Sequence, residues 1–284
     1  AAALGTLAVV DVADGATFSV GATQTIGGLS NSTSTLKTGS VTLAASQTLT
    51  VGSTNNLSST FSGVISGTGA LTKAGTGVFT LAGANTFSGA TTVSAGTLSF
   101  ANVGALSSGS AVTAAATAVV GLGVKLGDSG YFSSTSVDSL FANTLTGITM
   151  NATSFVGIDT TAGDFTYASN VTTTTRGLAK LGANTLTVSG ISTINGGISA
   201  NAGTLILSGS VTGTGTTTVN AGWLNVNGNT TSRVVVGAAG ALDETVSAQL
   251  GHDPAEGAQP AVDADPVGDL DGAFNDVCVD LAPG

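Results

Sequence analysis

Residues 71–98 read LTKAGTGVFTLAGANTFSGATTVSAGTL, and the stretch from Lys73 onward recurs 107 positions later, without a gap, at residues 180–205. Lys73, Gly75, Thr80, Gly83, Thr86, Gly89, Ala95, Gly96, Thr97 and Leu98 fall on Lys180, Gly182, Thr187, Gly190, Thr193, Gly196, Ala202, Gly203, Thr204 and Leu205. Apolar positions persist as well: Phe79 falls on Leu186, Leu81 on Val188 and Phe87 on Ile194. One structural unit is therefore used at least twice, which marks a repeat protein.

A shorter period runs inside the long one. Glycine followed two positions later by leucine occurs at Gly203–Leu205, Gly222–Leu224 and Gly240–Leu242, and Gly77 and Gly96 show the same spacing of about 19 residues. That period is too short for a helical pair. It suits one coil of a β-solenoid, three strands of about five residues joined by tight bends. Phe79-Thr80-Leu81 and Leu224-Asn225-Val226 alternate as half-buried strands do, and Gly83, Gly89, Gly190 and Gly228 punctuate them. The predicted fold is all-β: a parallel β-helix with coils of about 19 residues.

Composition agrees. The chain has 42 Gly, 8% charged residues and a mean hydropathy of +0.43. No apolar run approaches the roughly 18 residues that span a bilayer as a helix, so no transmembrane segment is predicted. Small and β-branched residues let coils stack closely, and threonine rows keep the outer faces wet with few charges.

Charge divides the chain. Residues 1–242 hold six acids (Asp11, Asp14, Asp128, Asp138, Asp159, Asp164) against six bases (Lys37, Lys73, Lys125, Arg176, Lys180, Arg233). The net charge of −10 therefore lies in residues 243–284, which carry no Lys or Arg but hold all four prolines, His252 and Cys278. The expected organisation is a solenoid body over 1–242 and an acidic, Pro-containing tail over 243–284, acting as a cap, linker or solvated extension. Neither part offers a basic patch for nucleic acid. Between about 130 and 150 the pattern is interrupted: Val137, Leu140, Phe141 and Leu145 share a helical face, and Thr135 with Asp138 resembles a capping box. A short helical insertion is predicted there.

Residues 71–98 resemble the autotransporter-associated β-strand repeat, approximately L-x-K-x-G-x-G-x-x-x-L-x-G-x-N-x-Y/F-x-G-x-T-x-V-x-x-G-x-L, and Leu178–Leu205 is similar more loosely. The resemblance implies a β-helical passenger region exported to the surface of a Gram-negative bacterium and used as an adhesin, scaffold or stalk. The family's C-terminal barrel, with its alternating strands and terminal aromatic, is not read in this sequence. Ala1-Ala2-Ala3 lacks Met and a basic n-region, as the start of a mature or excised chain would.

Candidate chemistry is sparse. Gly127-Asp128-Ser129-Gly130 copies the surroundings of a serine nucleophile, but the body has no histidine to act as base, so a glycine-flanked turn is expected. Lys73 and Lys180, recurring at equivalent positions, are read as covering a strand edge. No catalytic residue and no cofactor is predicted. The one ion considered is Ca²⁺, for which Asp263, Asp265, Asp269 and Asp271 offer oxygen ligands, although Val267 and Cys278 break an EF-hand pattern aligned on Gly272.

A solenoid without caps ends in open strand rows. If the tail covers one, the molecule is a monomeric surface stalk or adhesin. If it does not, copies join head-to-tail into an extracellular filament, with Val277, Cys278 and Val279 as assembly candidates on a donated strand. The predicted function is thus a non-enzymatic extracellular structural protein, scaffold or filament subunit. A monomeric adhesin for host, cell-surface or matrix ligands and a polysaccharide-binding or polysaccharide-cleaving β-helix, tested through Trp223, are the alternatives.

Overall fold

A computed structural model describes residues 8–52 and 57–242 and the backbone of 276–279. The described residues fall into two compact units, one up to Gly163 and one from Asp164. Both are parallel β-solenoids, as the periodicity predicts. The Ca²⁺ candidates Asp263, Asp265, Asp269 and Asp271, with most of the acidic tail, lie outside the described residues.

In the first unit three faces repeat from coil to coil. The longest runs through Gln24–Ile26, Thr48–Val51, Ala70–Lys73, Thr91–Val93, Val112–Ala114 and Ile148–Met150. Its register places Thr25, Thr50, Thr72, Thr92, Thr113 and Thr149 in one continuous row. The row is exposed or half-buried, while its neighbours Leu49, Leu71 and Val93 point inward and are fully buried. Alternation of period two thus becomes a dry interior and a wet threonine ladder. A second face runs through Ser59–Phe61, Val78–Leu81, Thr97–Phe100, Val119–Gly123 and Phe155–Asp159. Phe61, Phe79, Leu81, Leu98 and Phe100 from this face fill the core. The third face carries Thr17–Val20, Ser40–Leu43 and Val64–Gly67.

Coil length varies more than the sequence period implies. Val78 pairs with Thr97, 19 positions on, but Gln24 pairs with Leu49, 25 on, and Val119 with Phe155, 36 on. Loops at the corners absorb the difference. The longest of these holds the predicted helix, Ser134–Phe141. It begins earlier than the capping-box reading places it: Ser133, in extended backbone, accepts the amide of Ser136, so Thr135 is already inside the helix. Val137, Leu140 and Phe141 are buried, and the helix packs against Phe155–Asp159. Leu145 lies beyond the helix, after a left-handed Asn143 (φ 59°) whose side chain accepts from Met150 N at 2.7 Å.

The second unit repeats the plan through Phe165–Tyr167, Thr185–Val188 and Thr204–Leu207 on one face, Gly177–Leu181 and Ile198–Ala200 on another, and Val171–Thr174, Ser192–Ile194, Ser210–Thr212 and Asn229–Thr230 on the third. Two long strands follow: Thr217–Val226 pairs first with Ile198–Ala200 and then with Thr204–Leu207, and Val234–Leu242 pairs along Thr217–Val226. At another corner Gly190, Gly209 and Gly228 stack at the 19-residue period. A Cβ on Gly209 would lie 2.2 Å from the Gly190 carbonyl oxygen, and one on Gly228 only 2.0 Å from that of Gly209. The glycine period is therefore imposed by main chain passing over main chain.

Asp276–Val279 forms a strand antiparallel to Val234–Gly237, with Val236 opposite Val277, Val235 opposite Cys278 and Val234 opposite Val279. This pairing lies within one chain, on the edge of Val234–Leu242 away from Thr217–Val226.

Candidate functional site

Asp11, Asp14, Asp128, Asp159 and Asp164, with Lys37, Lys73 and Lys180, hydrogen-bond to main chain. Asp14 accepts from the amides of Thr35, Leu36 and Thr38 at 2.9 to 3.0 Å. Asp11 takes Thr33 N and Ser32 Oγ, Asp128 takes Gly130 N, and Asp164 takes Thr185 N. These bonds stabilise the ionised form and hold the carboxyls of Asp11, Asp14 and Asp128 below the usual value, led by Ser32 for Asp11 and by backbone amides for the other two. Gly127-Asp128-Ser129-Gly130 is an exposed turn, with Lys125 paired to Asp128 at 3.4 Å.

Lys73 and Lys180 do not cover a strand edge. Both are buried inside a coil corner, occupying inward positions where neighbouring coils carry apolar residues such as Val51 and Val93. Lys73 Nζ donates to the carbonyls of Ala74, Gly75 and Ala95, and Lys180 Nζ to those of Leu181, Gly182 and Ala202. Two of the three acceptors belong to the lysine's own turn and the third to the next coil. Gly75 (φ 65°) and Gly182 (φ 77°) take the left-handed conformation in that turn. Three donors meet three carbonyls, so each ammonium ties two coils together from within. Burial pushes the Lys73 ammonium down to about 8. The 107-residue repeat contained part of the signal for this bracket, since Lys and Gly recur at fixed spacing, but that spacing alone does not separate an interior position from an edge.

A concave site lies on the outer surface of the first unit. There the outward row Thr60, Thr80, Ser99, Gly121, Gly157 shrinks step by step, and the adjacent row Ala82, Ala101, Gly123 ends in Asp159. With no side chain on Gly121 or Gly123, the Asp159 carboxylate reaches back to Ser99 Oγ at 2.7 Å. Its other oxygen accepts from Thr161 N at 3.0 Å and Thr161 Oγ1 at 2.6 Å. A cavity of about 320 Å³ opens here between Thr60, Thr80, Tyr131, Asp159 and Thr161. Lys125 Nζ stands over the Tyr131 ring, 5.4 Å from its centre. Sequence reading singles out neither Tyr131 nor Asp159 as a site residue, because they meet only through the insertion.

The model of the passenger-associated-transport-repeat matches residues 71–100, 178–207 and 200–226. These segments carry the lysine brackets, the stacked corner glycines Gly190 and Gly209, and the inward Leu and Phe columns. The chain carries passenger-associated-transport repeats, and these together with its β-solenoid fold fit an autotransporter passenger-like β-helix repeat protein. No curated protein and no solved structure matches it. The passenger-like repeats implied by residues 71–98 and 178–205 thus extend to a third copy, overlapping the second, which includes Trp223. Trp223 is exposed and pairs through its backbone with Thr204. Among the described residues no group of three or more His, Cys, Asp or Glu side chains is placed to hold a metal ion.

Proposed function

We propose that this passenger-type domain is a non-enzymatic extracellular scaffold, displayed on the surface of a Gram-negative cell. The observation that carries the reading is the use of charge: carboxylates sit on backbone amides at turns, and Lys37, Lys73 and Lys180 sit on backbone carbonyls. Acid–base chemistry needs a titratable group facing a reactant with its proton-transfer position open. At Asp11, Asp14, Asp128, Lys37, Lys73 and Lys180 those positions hold turns and coil corners together. The repeat match supports surface exposure, since such repeats belong to exported passengers.

Pairing of Asp276–Val279 with the last coil of its own chain favours a closed scaffold over a filament, because the strand occupies an edge that a second copy would need. A filament remains a specific second reading: Val9–Asp11, Thr17–Val20 and Gln24–Ile26 have one strand partner each among the described residues, and Val277, Cys278 and Val279 would supply the donated strand. Negative-stain electron microscopy of the full chain over a concentration series separates the two. Discrete particles throughout are expected; concentration-dependent filaments would replace the scaffold reading with the assembling one. Antibody labelling of intact cells tests the location, and labelling only after permeabilisation would sink the surface assignment.

A further inference from the structure

We propose that the cavity beside Asp159 binds a neutral hexose unit of a glycan. Asp159 is only 6% exposed, and its carboxylate has no ion-pair partner among the described residues. A carboxylate offers about four lone-pair positions. Three are taken by Ser99 Oγ, Thr161 N and Thr161 Oγ1, leaving acceptor capacity on the oxygen that faces Ser99. Burying a charge is costly unless hydrogen bonds complete its shell, so a further donor entering the cavity stabilises it.

The remaining walls select the donor. The hydroxyls of Thr60, Thr80 and Tyr131 make no hydrogen bond to protein among the described residues, and each can both donate and accept. Beside them lie the Tyr131 ring and the methyl groups of Ala82 and Ala101. A pyranose presents this same combination, hydroxyls around an edge and C–H groups on a face. A volume of about 320 Å³ fits one or two such rings, at the small end of the roughly 300–1,000 Å³ of ligand sites. Charged ligands fit worse. The Tyr131 ring already carries the Lys125 ammonium, which opposes a second cation, and the buried Asp159 opposes an anion. One carboxylate is too few for a hard metal ion.

The inference is independent of the scaffold reading, which survives if the cavity binds nothing. The test is saturation-transfer NMR of the full chain with methyl glycosides of glucose, galactose, mannose and N-acetylglucosamine, with choline and glucuronate as charged controls. Transfer to at least one neutral glycoside and to neither control is expected. Tyr131→Ala and Thr80→Val, both at the surface, should each weaken that binding at least tenfold while leaving the melting curve unchanged. Should Tyr131→Ala disturb the fold, Thr80→Val decides. No transfer to any neutral glycoside, stronger binding of choline or glucuronate, or undiminished binding in the variants would overturn the proposal.

Discussion

A lysine placed inside a solenoid is the residue-scale feature with the largest consequences. Lys73→Met keeps the aliphatic stem but leaves the carbonyls of Ala74, Gly75 and Ala95 without their shared donor. A loss on the order of 3 kcal/mol is expected from such unsatisfied groups, read as a lower urea midpoint, and Lys180→Met should behave alike. The Lys73 pKa gives a second, independent readout. The unfolded chain holds the proton up to 10.5, whereas the folded chain releases it near 8. Between those values the unfolded state binds more protons, so stability from this group rises with pH; below about 8 both states are charged and the burial penalty is present in full. The wild type should therefore gain on Lys73→Met as urea midpoints are compared from pH 7.5 to 10. A constant gap would mean that the ammonium is not desolvated. The carboxyls act in the opposite sense. Asp14 is depressed by its amide donors, so its contribution is present above the ordinary carboxyl value of 3.8 and is lost as pH falls below it; Asp14→Asn should flatten the acid limb of the stability curve.

At the scale of elements, the corner glycines and the inserted helix make separable predictions. Gly209→Ala drives a methyl group into the Gly190 carbonyl at 2.2 Å, where neither main chain can yield cheaply. A destabilisation above about 3 kcal/mol is expected, as for overpacking against backbone. Because coils depend on their nearest neighbours, hydrogen exchange should accelerate first in Thr185–Val188, Thr204–Leu207 and the strands beside them. The helix is less critical. Ser133→Ala removes its cap and should cost about 1 kcal/mol, whereas Thr135→Ala should cost less because Thr135 is not the cap.

For the whole molecule, the question is what limits the solenoid. Truncation after residue 242 removes Asp276–Val279 and bares the edge of Val234–Gly237. Sedimentation velocity should then show concentration-dependent association absent from the full chain; an unchanged monomer would mean that this strand is not what blocks the edge.

Much of this architecture was legible in the chain itself, and the reason is that a solenoid is built from local rules. Alternation in Phe79-Thr80-Leu81 determines which side is core, Gly190, Gly209 and Gly228 mark where main chains cross, and the exact 107-residue shift proves that one geometry recurs. Each depends on residues within a coil or on its immediate neighbour, so sequence period carries it. Tertiary structure alone decided the rest. A repeated lysine reads equally well as an edge or an interior until its turn carbonyls are seen converging on it. Asp159 and Ser99 are 60 residues apart, and they meet only because a 36-residue coil carries the insertion over a row that has shrunk to glycine. Pairing of Asp276–Val279 with Val234–Gly237 likewise joins segments that share no period. Periodicity encodes contacts between equivalent positions; contacts between inequivalent ones, including the cavity at Asp159, exist only once the chain has folded.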